Sequence, residues 1–160
     1  GWVKVKLTGG KDLTRRGAVN RGGIGAIVTF SPKGLTSALR SIPGGGGYAS
    51  NDPMESIFGM GRSETGVLDI FWPGGVNNRL YDVKALERLN VPEIPCDFAN
   101  RRVSAAAYKR CVDESLRDYR KHGLVSAEFA ERLRASAMRA FSDKAKPAAV
   151  ARDLMAAARK

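Results

Sequence analysis

The run Val67-Leu68-Asp69-Ile70-Phe71-Trp72 constrains this chain more than any other stretch. It is rich in β-branched and aromatic residues, and Gly66 on one side and Pro73-Gly74-Gly75 on the other punctuate it. That pattern reads as a strand buried on both faces. A central strand needs neighbours, and the chain supplies candidates. Trp2 to Leu7 alternates strictly, with Val3, Val5 and Leu7 on one face and Lys4 and Lys6 on the other, as a half-buried strand does. Ile24 to Phe30 reads as a strand with Gly25 inside it, and Pro32-Lys33-Gly34 as a turn. Leu35 to Ile42 is then the returning arm of a hairpin. A short apolar run follows at Ile57 to Gly61, and Arg79 to Val83 alternates again as the strand that closes the unit. Short strands joined by Gly-rich turns, with no helix between them, predict a mainly antiparallel sandwich or small barrel. Thr8 to Gly23, with Lys11, Arg15, Arg16 and Arg21, has no periodicity and reads as a solvated basic loop.

The pattern changes at Val91-Pro92-Glu93-Ile94-Pro95, which reads as an extended, proline-stiffened linker. Beyond it Tyr108, Cys111, Val112, Leu116 and Tyr119 recur at helical spacing, with Gly123 placed to end the helix. Ser126 suits the N-cap of a second helix with the stripe Phe129, Ala130, Leu133, Ala137 and Phe141, and Pro147 the first turn of a third with Val150, Leu154 and Ala157. The expected organisation is a β domain over 1–90 and a helical appendage over 91–160, α+β overall. Such short helices need burial to persist. Tyr108, Tyr119, Phe129, Leu133, Phe141 and Leu154 are therefore the residues expected to meet a protein partner.

The formal net charge of +11 over 160 residues favours polyanions or an acidic protein face: other subunits, an anionic polysaccharide or an anionic lipid surface. Nucleic acid is disfavoured, because the cations are interspersed with acids and no aromatic recognition motif accompanies them. No apolar run long enough for a transmembrane segment is present. The start at Gly1 without Met suggests a piece of a longer precursor. Cys96 and Cys111 lie fifteen residues apart. In an oxidising compartment they form a disulfide that stabilises by roughly 3 kcal/mol, and in a reducing one they are small apolar residues.

Five segments, in order, resemble the ASPIC/UnbV domain. They are Gly1 to Gly9; Asn20-Arg21-Gly22-Gly23-Ile24-Gly25-Ala26; Gly46-Gly47-Tyr48-Ala49-Ser50-Asn51-Asp52-Pro53; Phe58-Gly59-Met60-Gly61; and Phe71-Trp72-Pro73-Gly74-Gly75. The resemblance covers about residues 1–83. It implies a secreted or surface protein, since the module commonly follows an FG-GAP-type calcium-binding propeller. No such repeat is present here, and the resemblance brings no catalytic residue with it.

No reaction centre is legible. The glycines from Gly44 lack the GK[ST] of a phosphate loop and read as a turn. Ser50, Asn51, Asp52, Glu55 and Asp69 match no calcium-loop spacing. His122 is the single histidine, which excludes a metal centre or a triad as far as it depends on a second histidine. No cofactor, metal or enzymatic activity is expected. The chain reads as a non-catalytic binding or adhesion module, secreted or surface-exposed, with the helices making protein contact. The alternative is a structural accessory subunit of a larger complex, in an organelle lumen or at the periphery of a membrane complex, docked through its basic helices.

Overall fold

The computed structural model describes residues 1–44 and 55–158. Seven strands form two sheets. β1 (Trp2–Thr8) lies between β4 (Ser56–Gly59) and β7 (Arg88–Pro92) in one, and the other runs β3 (Ala38–Ser41), β2 (Ile27–Pro32), β5 (Thr65–Phe71), β6 (Asn77–Lys84). Every pairing is antiparallel except β1 with β7. The expected central strand is β5, hydrogen-bonded to β2 on one side and β6 on the other. Alternation places Val3, Val5, Leu7, Val28, Phe30, Leu68, Ile70 and Trp72 in a single core. Phe30 of one sheet meets Phe58 of the other with ring centroids 5.6 Å apart. The two sheets thus form a sandwich of separate layers, not a closed barrel.

Three readings of the sequence change. β2 begins at Ile27, because Ala26 bonds back to Gly23 and Gly25 sits at φ +90° in the turn before it. β6 does not close the unit: β7 follows and runs parallel to β1, a pairing that alternation within either segment could not reveal. The expected linker is no linker. Val91 and Pro92 belong to β7, and Glu93 and Ile94 are 1% and 3% exposed.

The helices form as their periodicity predicts. α1 (Ala105–Lys121) is capped by Ser104, whose side chain accepts from Ala107 N, and Gly123 follows it at φ +70°. α2 (Ala127–Ser142) is capped in the same way by Ser126, and α3 (Ala149–Ala158) ends the described chain. α1 buries Tyr108, Cys111, Val112, Ser115, Leu116 and Tyr119, a stripe of the i, i+3, i+4, i+7 kind. These residues share one hydrophobic cluster with the strands. α2 lies against β6, where Ser136 Oγ accepts the Tyr81 N–H at 3.0 Å. An edge strand is thereby partly sealed by a helix.

A buried ion pair ties the face of the four-stranded sheet to the segment before α3. Asp69 Oδ1 accepts from Arg79 Nε at 2.7 Å, and Arg79 Nη2 donates to Lys146 O at 2.7 Å. Burial pushes the Asp69 carboxyl above its ordinary range, and Arg79 pulls it back only in part. A carboxylate raised in the folded state contributes its stability below its unfolded pKa, and that contribution is lost as pH rises through the folded value.

Two outcomes are expected. Cutting the chain after Asn90 divides β7, strips β1 of partners at Leu7 and Thr8, and uncovers the sheet faces under α1 and α2. Calorimetry of residues 1–90 should then show no cooperative melting. A sharp transition would show the helices to be a dispensable appendage. At the ion pair, Arg79→Met should cost about 3–5 kcal/mol by urea unfolding, because it leaves a buried carboxylate alone. Asp69→Asn keeps an acceptor for Arg79 and should cost less.

Candidate functional site

The loop between β1 and β2 is folded inward rather than solvated. Leu13 and Val19 are buried, while Lys11, Arg15, Arg16 and Arg21 point outward. The anchor is Glu93. Its Oε1 accepts the backbone N–H groups of Gly10 at 2.8 Å, Val19 at 3.0 Å and Ala18 at 3.2 Å. From the other side the Tyr119 hydroxyl donates to the Glu93 carbonyl. A buried carboxylate satisfied by several backbone donors is a strong clamp. Gly10 and Gly17 make it possible: a Cβ on Gly17 would run into the Gly10 backbone, and one on Gly10 into the Tyr119 hydroxyl.

The segment after Glu93 is stitched down with equal density. Asn78 Oδ1 accepts from Trp72 Nε1 at 2.7 Å and from Ile94 N at 3.0 Å, and Asn78 Nδ2 donates to Ile94 O at 2.9 Å. Asp97 Oδ1 accepts both Asn77 N and Asn77 Nδ2 at 3.2 Å. Cys96 is bonded to Cys111 of α1 with their Cα atoms 6.1 Å apart. Residues 93–97 therefore act as a strap that carries the chain from β7 to α1.

Beside the disulfide opens a cleft of about 630 Å³, floored by Val76, Pro95 and Val103 and rimmed by Arg15, Arg16 and Arg110. Arg15 Nε lies 3.2 Å from Glu114 Oε1. On the opposite flank of α1 a second cleft, about 570 Å³, presents Arg117, Arg120 and Lys121. There Arg134 Nε closes on Asp113 Oδ1 at 2.7 Å. The ridge between the clefts is the outward face of α1.

The six residues expected to meet a partner are divided by the structure. Tyr108, Tyr119 and Leu133 are 2%, 0% and 3% exposed: what covers them is this chain's own core, because the strap folds α1 and α2 back onto the sheets. Phe129 and Phe141 are half-buried, with Phe141 stacked on Tyr108 at 4.3 Å. Only Leu154, on α3, stands clear, at 44%. Burial, reinforced by Asp97 at Tyr108 and by Glu93 and Asp118 at Tyr119, pushes both phenols well above their ordinary range, so neither is a base at neutral pH. Asp69 is bound to Arg79, Glu55 is half-buried, and His122 is exposed at the end of α1. Ser50, Asn51 and Asp52, with most of the glycine run, lie outside the described residues. Among the described residues no three His, Cys, Asp or Glu side chains come together as a metal-holding group.

Sequence reasoning missed Glu93, Asn78 and the α1 ridge. The signal for Glu93 was an acid framed by two prolines in an otherwise apolar segment, Val91 to Pro95. A solvated linker has no need of that apolar framing.

These parts define a small disulfide-clamped β-sandwich with a helical cap, whose buried polar groups are bound to one another. The sequence model of the family described as ASPIC and UnbV matches residues 16–95, half of the chain, and the chain belongs to that family. The match reaches past β7 to the strap and so takes in Glu93, while the three helices lie beyond it. Nothing among curated proteins or solved structures matches.

Glu93→Ala should destabilise the fold by about 3 kcal/mol or more, since it leaves several buried N–H groups without an acceptor. Glu93→Gln retains one carbonyl oxygen and should cost about half as much. Urea unfolding of both variants is the measurement. Equal, small losses would mean that water already reaches these donors.

Proposed function

We propose that this chain is a non-catalytic binding module of a secreted or surface protein, offering its basic helical face to an acidic partner. The observation that carries the reading is the division of charge. Among the described residues the buried acids are engaged in holding the fold, Glu93 by backbone N–H groups and Asp69 by Arg79, and the surplus of the +11 charge lies outside. A fold arranged in this way presents a surface rather than a reaction centre. Family membership supports the extracellular placement, because the module commonly accompanies FG-GAP propellers in secreted proteins. So does the Cys96–Cys111 bond, of a kind that persists in oxidising compartments. No helix among the described residues is long and apolar enough to cross a membrane. The alternative, a structural accessory subunit docked through its basic helices, would draw on the same charged face, and of the six apolar residues expected at such a contact Leu154 alone is exposed.

Alkylation of free thiols at the moment of harvest, with fractionation of the native source, tests this reading. The expected result is a secreted or surface-bound chain with Cys96 and Cys111 both protected. A chain confined to a reducing compartment with both thiols labelled would overturn it.

A further inference from the structure

The outward face of α1 carries Arg110, Glu114, Arg117 and Lys121, spaced i, i+4, i+7, i+11 and therefore stacked in one row. Eleven residues of helix extend that row over about 16 Å. Its single acid, Glu114, is met by Arg15 at 3.2 Å, a residue brought across by the loop that Glu93 anchors. Arg16 adds a cation on one flank and Arg120 on the other. Among the described residues Arg16, Arg110, Arg117, Arg120 and Lys121 have no ion-pair partner, whereas Arg134 beside them is occupied by Asp113.

A row of unpaired, mostly arginine cations along one helix suits a ligand whose negative groups recur along a line. Arginine adds a fork that fits planar or trigonal oxyanions bidentately. Among the described residues the same face offers no aromatic ring on which a nucleobase could stack, because Tyr108 and Tyr119 point the other way into the core. We infer that the α1 ridge, with Arg15 and Arg16 of the β1–β2 loop, binds an anionic polysaccharide through its sulfate or uronate groups. The inference rests on the extracellular reading above and assigns that reading a ligand class and a site.

Calorimetric titration of the full chain tests it, with a heparin oligosaccharide and with polygalacturonate as the sulfate and uronate probes, at about 50 and about 200 mM salt. At least one probe should bind, more weakly at the higher salt. R110A/R117A/K121A should weaken that binding about tenfold or more and flatten its salt dependence, with the melting temperature unchanged. The charge-matched variant K6A/K33A/R62A, altered at positions away from the ridge, should stay within about threefold of the parent. Equal losses in the two variants would mean that net charge alone is at work, and would overturn the site. So would tighter binding of single-stranded DNA through the same three residues, or no binding of either polysaccharide. If the last result came from a chain shown to be extracellular and oxidised, the ligand assignment would fall while the binding-module reading stood.

Discussion

The carboxylate of Glu93 is the contact on which the remainder of this structure depends. It lies where three separate pieces of chain converge: the β1–β2 loop, whose N–H groups it accepts; the strap that carries it out of β7; and α1, whose Tyr119 closes over its backbone. Burying a carboxyl group is costly unless its hydrogen bonds are replaced, and here the replacements come from the backbone of a loop that has no ladder of its own. The arrangement is mutual. The loop is ordered because the acid needs donors, and the acid can be buried because the loop supplies them.

The clamp at Glu93 has a second effect, on the surface. With Leu13 and Val19 drawn inward, the intervening Arg15 and Arg16 face outward over the disulfide cleft. A loop of this composition left in water would spread its cations over many positions. Anchored, it sets Arg15 on Glu114 and leaves the row on α1 with a single sign. The interior acid thus helps to set the charge pattern outside, although it never meets solvent.

Much of the secondary structure was legible, because each element is specified locally. Strict alternation placed β1, the hydrophobic run bounded by glycine and proline placed β5, and Gly123 and Ser126 mark the end of one helix and the start of the next, whose stripes recur at the proper period. What was missed is non-local. β7 was hidden because its parallel partner lies more than eighty residues away, and nothing in Arg88 to Pro92 announces a strand of that direction. The two prolines of Val91 to Pro95 suggested a linker, yet Pro92 ends the β7 pairing opposite Thr8 and Ile94 is held by both sides of the Asn78 amide. The helices read as an appendage needing a partner, because periodicity shows that a face must be covered without showing by what. The ridge on α1 was missed because its single sign depends on Arg15 cancelling Glu114, a contact between residues nearly a hundred positions apart.

The placement of β1 has a bearing on how the chain is made. Its two neighbours, β4 and β7, both come much later in the sequence, so β1 leaves the ribosome before either of its mates exists. The hairpins of the four-stranded sheet can zip as they emerge, but the three-stranded layer must wait until Pro92 is available, and its clamp until Glu93 follows. Non-local pairing of this kind makes folding slow and leaves apolar surface uncovered in the interval. Val3, Val5 and Leu7 are then an exposed sticky edge, separated by Lys4 and Lys6. Charges so placed discourage pairing with the wrong chain, and the alternation that first marked this segment as a strand also protects it while it waits.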